Sequence, residues 1–169
     1  MKILIAVSML HENDCGDPIA AVASFPWPPQ TTFRVLTVAG FVHPPVAGLM
    51  AGSLDVTDVQ QAVDAESRDV ATMAAVQLRE HGLVADIVTQ EGDPESVIVE
   101  HAKSWGADLI VVGECNRSAV ARLLIGSVSH SVVKHAHCSV LVVKPAHGEA
   151  DERTHGKSDE SVERQPTLV

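Results

Sequence analysis

The stretch that decides the fold runs from Asp108 to Pro145: DLIVVGECNRSAVARLLIGSVSHSVVKHAHCSVLVVKP. Its opening, Asp108 to Gly113, is apolar after the first residue, as a strand covered on both faces of a parallel sheet must be. A loop or partly helical excursion follows from Glu114 to Ile125, and Gly126-Ser127 opens a helix expected over Ser127 to His135. Ser139 to Lys144 (SVLVVK) is a last strand, closed by Pro145. Strand, helix and strand in that order form one parallel crossover unit.

Working upstream, the same alternation repeats. Lys2 to Ser8 (KILIAVS) is a short β-branched run, and Phe33 to Ala39 (FRVLTVA) is a second strand. Between them lies a polar loop, His11 to Asp17. A short helix follows over Pro18 to Ser24, with Asp17 as N-cap, proline at the first helical position, and Pro26, Pro28 and Pro29 ending it. Gly40 to Thr57 holds Pro44, Pro45, Gly48 and Gly52 without a regular period, a length typical of mobile or functional loops. Val59 to His81 is the longest helix, with Asp58 as cap, Val63, Val70, Ala74 and Leu78 on one face, and Gly82 as stop. Leu83 to Thr89 reads as a third strand. Asp93-Pro94 begins a helix to Trp105 that buries Val97, Ile98, His101 or Ala102, and Trp105, before Gly106 stops it.

These elements predict a single doubly wound α/β domain over residues 1–145, a five-stranded, mostly parallel sheet with helices on both faces. Residues 146–169 are rich in Glu, Asp, Lys, Ser and Gly and are expected to be a disordered, polar, acidic tail.

Composition narrows the partners. The net charge of -10 repels phosphate backbones and anionic lipid, so nucleic acid and membrane surfaces are excluded as partners. No apolar run approaches the ~20 residues that a bilayer span requires, and the N-terminus lacks a signal-peptide pattern. Three cysteines, Cys15, Cys115 and Cys138, are odd in number and widely spaced. Together these features predict a cytoplasmic protein with reduced thiols.

The chemistry lies between Gly113 and Ser129. Amide groups at Ser127, Val128 and Ser129 project from a helix start, where the helix dipole favours negative charge. Gly126 lets an anion approach the backbone, and the Ser127 and Ser129 hydroxyls can add donors. In an open parallel sheet such a cradle sits beyond the carboxyl ends of the strands.

Gly113, two residues, Asn116, nine residues, then Gly126-Ser127 resembles the Gly-x2-Gly-x9-Gly-Ser/Thr motif of nucleotide-binding universal stress proteins. GSVSHSVVKHAHCSVLVVKP (126–145), ILIAV (3–7) and AAVASFPWPPQTTFRVLTV (20–38) are similar to the same family, over about residues 2 to 145. The resemblance implies the adenine nucleotide alpha hydrolase-like fold and an ATP site, with Mg2+ as a possible companion. In that site Ala6, Val7 and Ser8 flank the nucleoside and the Val38 backbone faces adenine. Gly113 passes beneath the ribose-phosphate, Asn116 takes the place of the motif's middle glycine near the phosphate oxygens, and Gly126, Ser127, Val128 and Ser129 hold the phosphates. Two positions depart from the pattern: Ser8 replaces the usual Asp, and Asn116 replaces the middle glycine. The resemblance also implies a regulator of the stress response and a homodimer through the last strand, Ser139 to Val143. With no general base in an obvious place and only Arg117 and Arg122 as loop candidates for an arginine finger, the chain is expected not to be an enzyme beyond slow ATP hydrolysis at most. The alternative is a dimeric interaction module that kept the fold and lost the ligand.

Other constellations are read conservatively. His130, His135, His137 and Cys138 cluster in sequence, but a helix C-terminus accounts for the basic residues, and no metal is expected. Ser8, His11 and Asp14 or Asp17 contain the letters of a hydrolytic triad without a nucleophile elbow. Cys115 is read as a free loop thiol, and Trp27 and Trp105 as packing residues.

Overall fold

The computed structural model describes residues 1–8, 15–40, 56–115 and 127–145, with only the backbone of 56–58. Asn116, Gly126, most of the two long loops and the expected tail lie outside the described residues.

The elements run β1 (Lys2–Val7), α1 (Pro18–Ser24), β2 (Thr32–Ala39), α2 (Val56–Glu80), β3 (Ala85–Glu91), α3 (Pro94–Trp105), β4 (Leu109–Gly113), α4 (Ser127–His135) and β5 (Ser139–Val143). The five strands form one sheet in the order β3-β2-β1-β4-β5, and every pairing is parallel. Sequence order therefore reverses at β1, which lies between β2 and β4. That reversal opens the crevice where doubly wound sheets receive ligands.

Two helix starts follow directly from local chemistry. Asp17 Oδ1 accepts from the Ile19 and Ala20 amides at 2.9 and 3.1 Å, and Pro18 occupies the first helical position. Asp93 Oδ2 accepts from the Ser96 amide at 3.0 Å and from its hydroxyl at 2.9 Å, ahead of Pro94. Each cap satisfies amides that the helix itself leaves unpaired.

Alternation along the strands makes two cores. Ile3, Ile5, Phe33, Val35 and Val111 face one side, where Ile19 and Val22 of α1 and Ala71, Ala74 and Leu78 of α2 cover them. Leu4, Ala6, Leu36, Ile110 and Val112 face the other, under Ile98 and Ala102 of α3 and Val132 of α4. Ala102 rather than His101 takes the buried position on α3.

The structure corrects several boundaries. The third strand begins at Ala85, not Leu83, because the Leu83 amide donates back to Leu78 O at 3.0 Å. Gly82, at φ 77°, makes that helix-closing turn possible, so Leu83 belongs to the turn that closes α2 after Glu80. Helix α2 begins at Val56, which places Asp58 inside it rather than at its cap. The largest correction concerns sulfur: Cys15 and Cys115 form a disulfide, so Cys115 is not a free thiol. Sequence separation hid the pair, and topology brings it together.

Candidate functional site

The crevice at the order reversal is built from the C-terminal ends of β1 and β4 and the start of α4. Ala6 is buried, Val38 and Val128 are half-buried, and all three belong to the core on the α3/α4 face. Residues from three separate elements thus belong to the apolar core on that face of the sheet. Val7 faces the opposite core, with Ile3 and Ile5. Ser8, at the end of β1, is exposed. At the helix start Ser127 is exposed and Ser129 is only 2% exposed, so Ser127 presents its hydroxyl to solvent while Ser129 is turned inward. The amides of this first turn have no acceptor within the helix, by its geometry. Such a combination, an apolar wall beside an electropositive helix end, fits a flat base joined to an anionic group.

Gly113 has a different immediate environment. A Cβ there would collide with Gly16 O, with Pro18 Cδ at 3.6 Å. Its missing side chain is thus accounted for by the chain crossing it on the α1 side.

Two neighbours escaped the sequence reading. Gly16 donates its amide to Glu114 O at 2.9 Å, and Glu114 donates its amide to Val143 O at 2.7 Å. A Cβ at Gly16 would strike the Val143 carbonyl. Glu114 itself is 7% exposed, and its Oε2 is buried without a hydrogen-bond partner among the described residues. An acid directly after a strand-terminal glycine was the available signal, but only tertiary structure shows it to be buried.

The remaining candidates take structural positions. Asp17 is committed to capping α1, while His11 and Asp14 lie outside the described residues. His135 Nδ1 donates to the Ser131 carbonyl at 2.9 Å, within its own helix. Among the described residues, no three His, Cys, Asp or Glu side chains come together as a metal site. Trp27 donates Nε1–H to Val22 O at 2.7 Å and packs against Phe25 and Phe33. Trp105 lies at the opposite end of the sheet, where Lys2 donates to its carbonyl and Arg34 stacks 4.4 Å from its ring centroid.

Burial on the α3 side lowers the His101 pKa below the usual 6.5, with help from the nearby Arg34 charge. Burial raises that of the Cys138 thiol, and the Asp108 carboxylate adds to the effect. Both groups lie away from the crevice.

Fold and crevice together define a doubly wound α/β protein with its candidate site at the topological switch point. Comparison with known proteins makes the class specific. The family model described as "Universal stress protein family" matches residues 27–144, and the chain belongs to that family. A universal stress protein of Methanocaldococcus jannaschii is 37% identical over 101 residues, covering 59% of this chain and 58% of the relative. The stress response protein NhaX of Bacillus subtilis is 28% identical over 140 residues, covering 82% of this chain and 80% of that protein. The matched stretch spans between about half and three fifths of the first curated relatives' own length. Among solved structures, a universal stress protein in complex with cAMP aligns with a TM-score of 0.58 at 17% identity, covering 86% of this chain and 97% of that one. An Arabidopsis thaliana family member with AMP bound aligns with a TM-score of 0.54 at 19% identity, covering 86% and 92%.

Proposed function

We propose that this chain is a non-enzymatic regulator of the stress response that binds an adenine nucleotide at the crevice between β1 and β4. The observation that carries this reading is the helix start at Ser127, which follows β4 at the point where the sheet order reverses, on the apolar face to which Ala6, Val38 and Val128 belong. The base would lie on that face, near the Val38 backbone, with the ribose over the α4 side of Gly113. The phosphates would face the amides of Ser127, Val128 and Ser129. When bound, the nucleotide supplies a polyanion and a stacking surface, and the chain's own residues only hold it. ATP, with or without Mg2+, is the expected ligand. Solved relatives bear AMP and cAMP, which supports the adenine part of the reading. No described helix is long and apolar enough to cross a membrane, and we place the protein in the cytoplasm.

We also propose a homodimer through β5. Val140, Leu141, Val142 and Val143 are only half-buried on a strand paired on one side, by β4. An apolar edge of that kind, with unpaired backbone groups, is a ready template for pairing with another strand. Light scattering that gives a monomer mass at every concentration would contradict the dimer.

A second reading has its own support. Gly113 is explained by Gly16 without any ligand, and the buried Glu114 carboxylate adds negative charge beside the expected phosphates. Both fit an interaction module that no longer binds nucleotide. Calorimetric titration with ATP, ADP and AMP, with and without Mg2+, separates the two. Saturable heat with at least one of them supports the first reading; no heat at millimolar nucleotide supports the second.

A further inference from the structure

Cys15 and Cys115 are 100 positions apart in sequence, yet their Cα atoms stand 4.2 Å apart and their sulfurs are bonded. The same two residues form an antiparallel backbone bridge. Beside them runs a short ladder: Gly16 N–H to Glu114 O at 2.9 Å, then Glu114 N–H to Val143 O at 2.7 Å. Gly16 fits against Val143 only because it has no side chain. One covalent bond therefore fastens the segment entering α1 across the ends of β4 and β5, at the rim of the candidate crevice. Both cysteines are partly exposed, so a small reductant can reach them. The third cysteine, Cys138, sits at the opposite end of the sheet, before β5, and cannot exchange with this pair.

We propose that Cys15–Cys115 is a reversible redox latch, closed by exchange with another disulfide, which is reduced to its dithiol as the bond forms, and opened by a dithiol reductant, and that it tunes nucleotide affinity at the adjoining crevice. The second half of this inference rests on the nucleotide reading given above. Opening proceeds by ordinary exchange: a reductant thiolate attacks one sulfur, and the other cysteine leaves as a thiolate. The reductant's second thiol then attacks the mixed disulfide. The cysteine pair gains two electrons and two protons, and the reductant departs as its own disulfide. In a compartment that keeps thiols reduced, disulfides that do form are characteristically transient and redox-sensing.

The latch acts through order. Closed, it fixes Cys115 at the end of β4, where the chain sets out towards α4. A site whose borders are already fixed spends less of its interaction energy on ordering when ligand arrives. Open, the rim is held by the Gly16–Glu114–Val143 ladder and local packing alone. Oxidised protein therefore binds nucleotide more tightly than reduced protein.

The test compares the full chain before and after dithiothreitol, by amide hydrogen exchange and by AMP and ATP titration. Reduction is expected to lower protection of the Gly16 and Glu114 amides at least tenfold and to weaken nucleotide binding at least threefold, with reoxidation restoring both. A Cys15→Ser, Cys115→Ser double variant should match the reduced protein and ignore dithiothreitol. Unchanged protection on reduction overturns the latch. Lowered protection with unchanged affinity, in protein that binds nucleotide, overturns its coupling to the site. If neither form binds nucleotide, the proposed function and the coupling both fall, and the two amides alone decide the latch.

Discussion

The carbonyl oxygen of Gly16 occupies the space that a side chain at position 113 would need. A glycine is therefore demanded at 113 by the Gly16 backbone, and at 16 in turn by the Val143 and Lys144 backbone. Gly113→Ala should lower stability by about 1–3 kcal/mol, the usual cost of forcing extra volume into a filled space. Gly16→Ala should cost at least as much, because its Cβ meets the Val143 and Lys144 backbone. Urea unfolding of the two variants checks this; wild-type midpoints for both would contradict the crossing.

The cap of α3 gives a second expectation. Asp93→Ala removes the acceptor for two hydrogen bonds from Ser96 and should destabilise the protein by about 1 kcal/mol. Asp93→Asn, which retains a capping oxygen, should recover most of the loss in the same unfolding assay.

His101 sets a pH dependence. Its Nε2 is buried without a partner, and burial favours the neutral ring in the folded state. The unfolded chain then takes up the proton first, so stability falls as pH drops through the usual histidine value of 6.5 towards the lower folded value. His101→Gln should lose less stability than wild type between pH 7.5 and pH 5.5. Equal losses in denaturant midpoint would show that other groups control that window.

Glu114 offers a test of charge at the crevice. On the proposed nucleotide reading the phosphates lie beyond the end of β4, where Glu114 follows Gly113, and Glu114→Gln should tighten ATP binding by about threefold to tenfold, as expected for removal of one nearby like charge. The gain should shrink from ATP to adenosine. Equal changes for ATP and adenosine would place the carboxylate away from the phosphates.

Much of this architecture was legible because the deciding signals are local. Asp17-Pro18 and Asp93-Pro94 mark helix starts through hydrogen bonds spanning only two or three residues, and the apolar run at 109–113 announces a central strand. Errors arose where one residue type serves two roles. Acidic residues are favoured both at a helix cap and within its first turn, so Asp58 misplaced the start of α2. Leu83 has a strand-like composition but closes a helix. At the site, the roles given to Ala6, to the Val38 backbone and to the Val128 amide rest on a family resemblance, not on any local pattern. The Gly16–Gly113 crossing, the burial of Glu114 and the Cys15–Cys115 bond depend on strand order, which no local pattern encodes.

Amide chemical-shift mapping of the oxidised protein during an AMP titration tests the central claim most directly. The account predicts saturable shifts concentrated at Ala6, Ser8, Val38, Gly113 and Ser127 to Ser129, with little change at Trp105 or His101. Shifts confined to other surfaces, or none at millimolar AMP, would contradict a nucleotide site at the β1–β4 crevice.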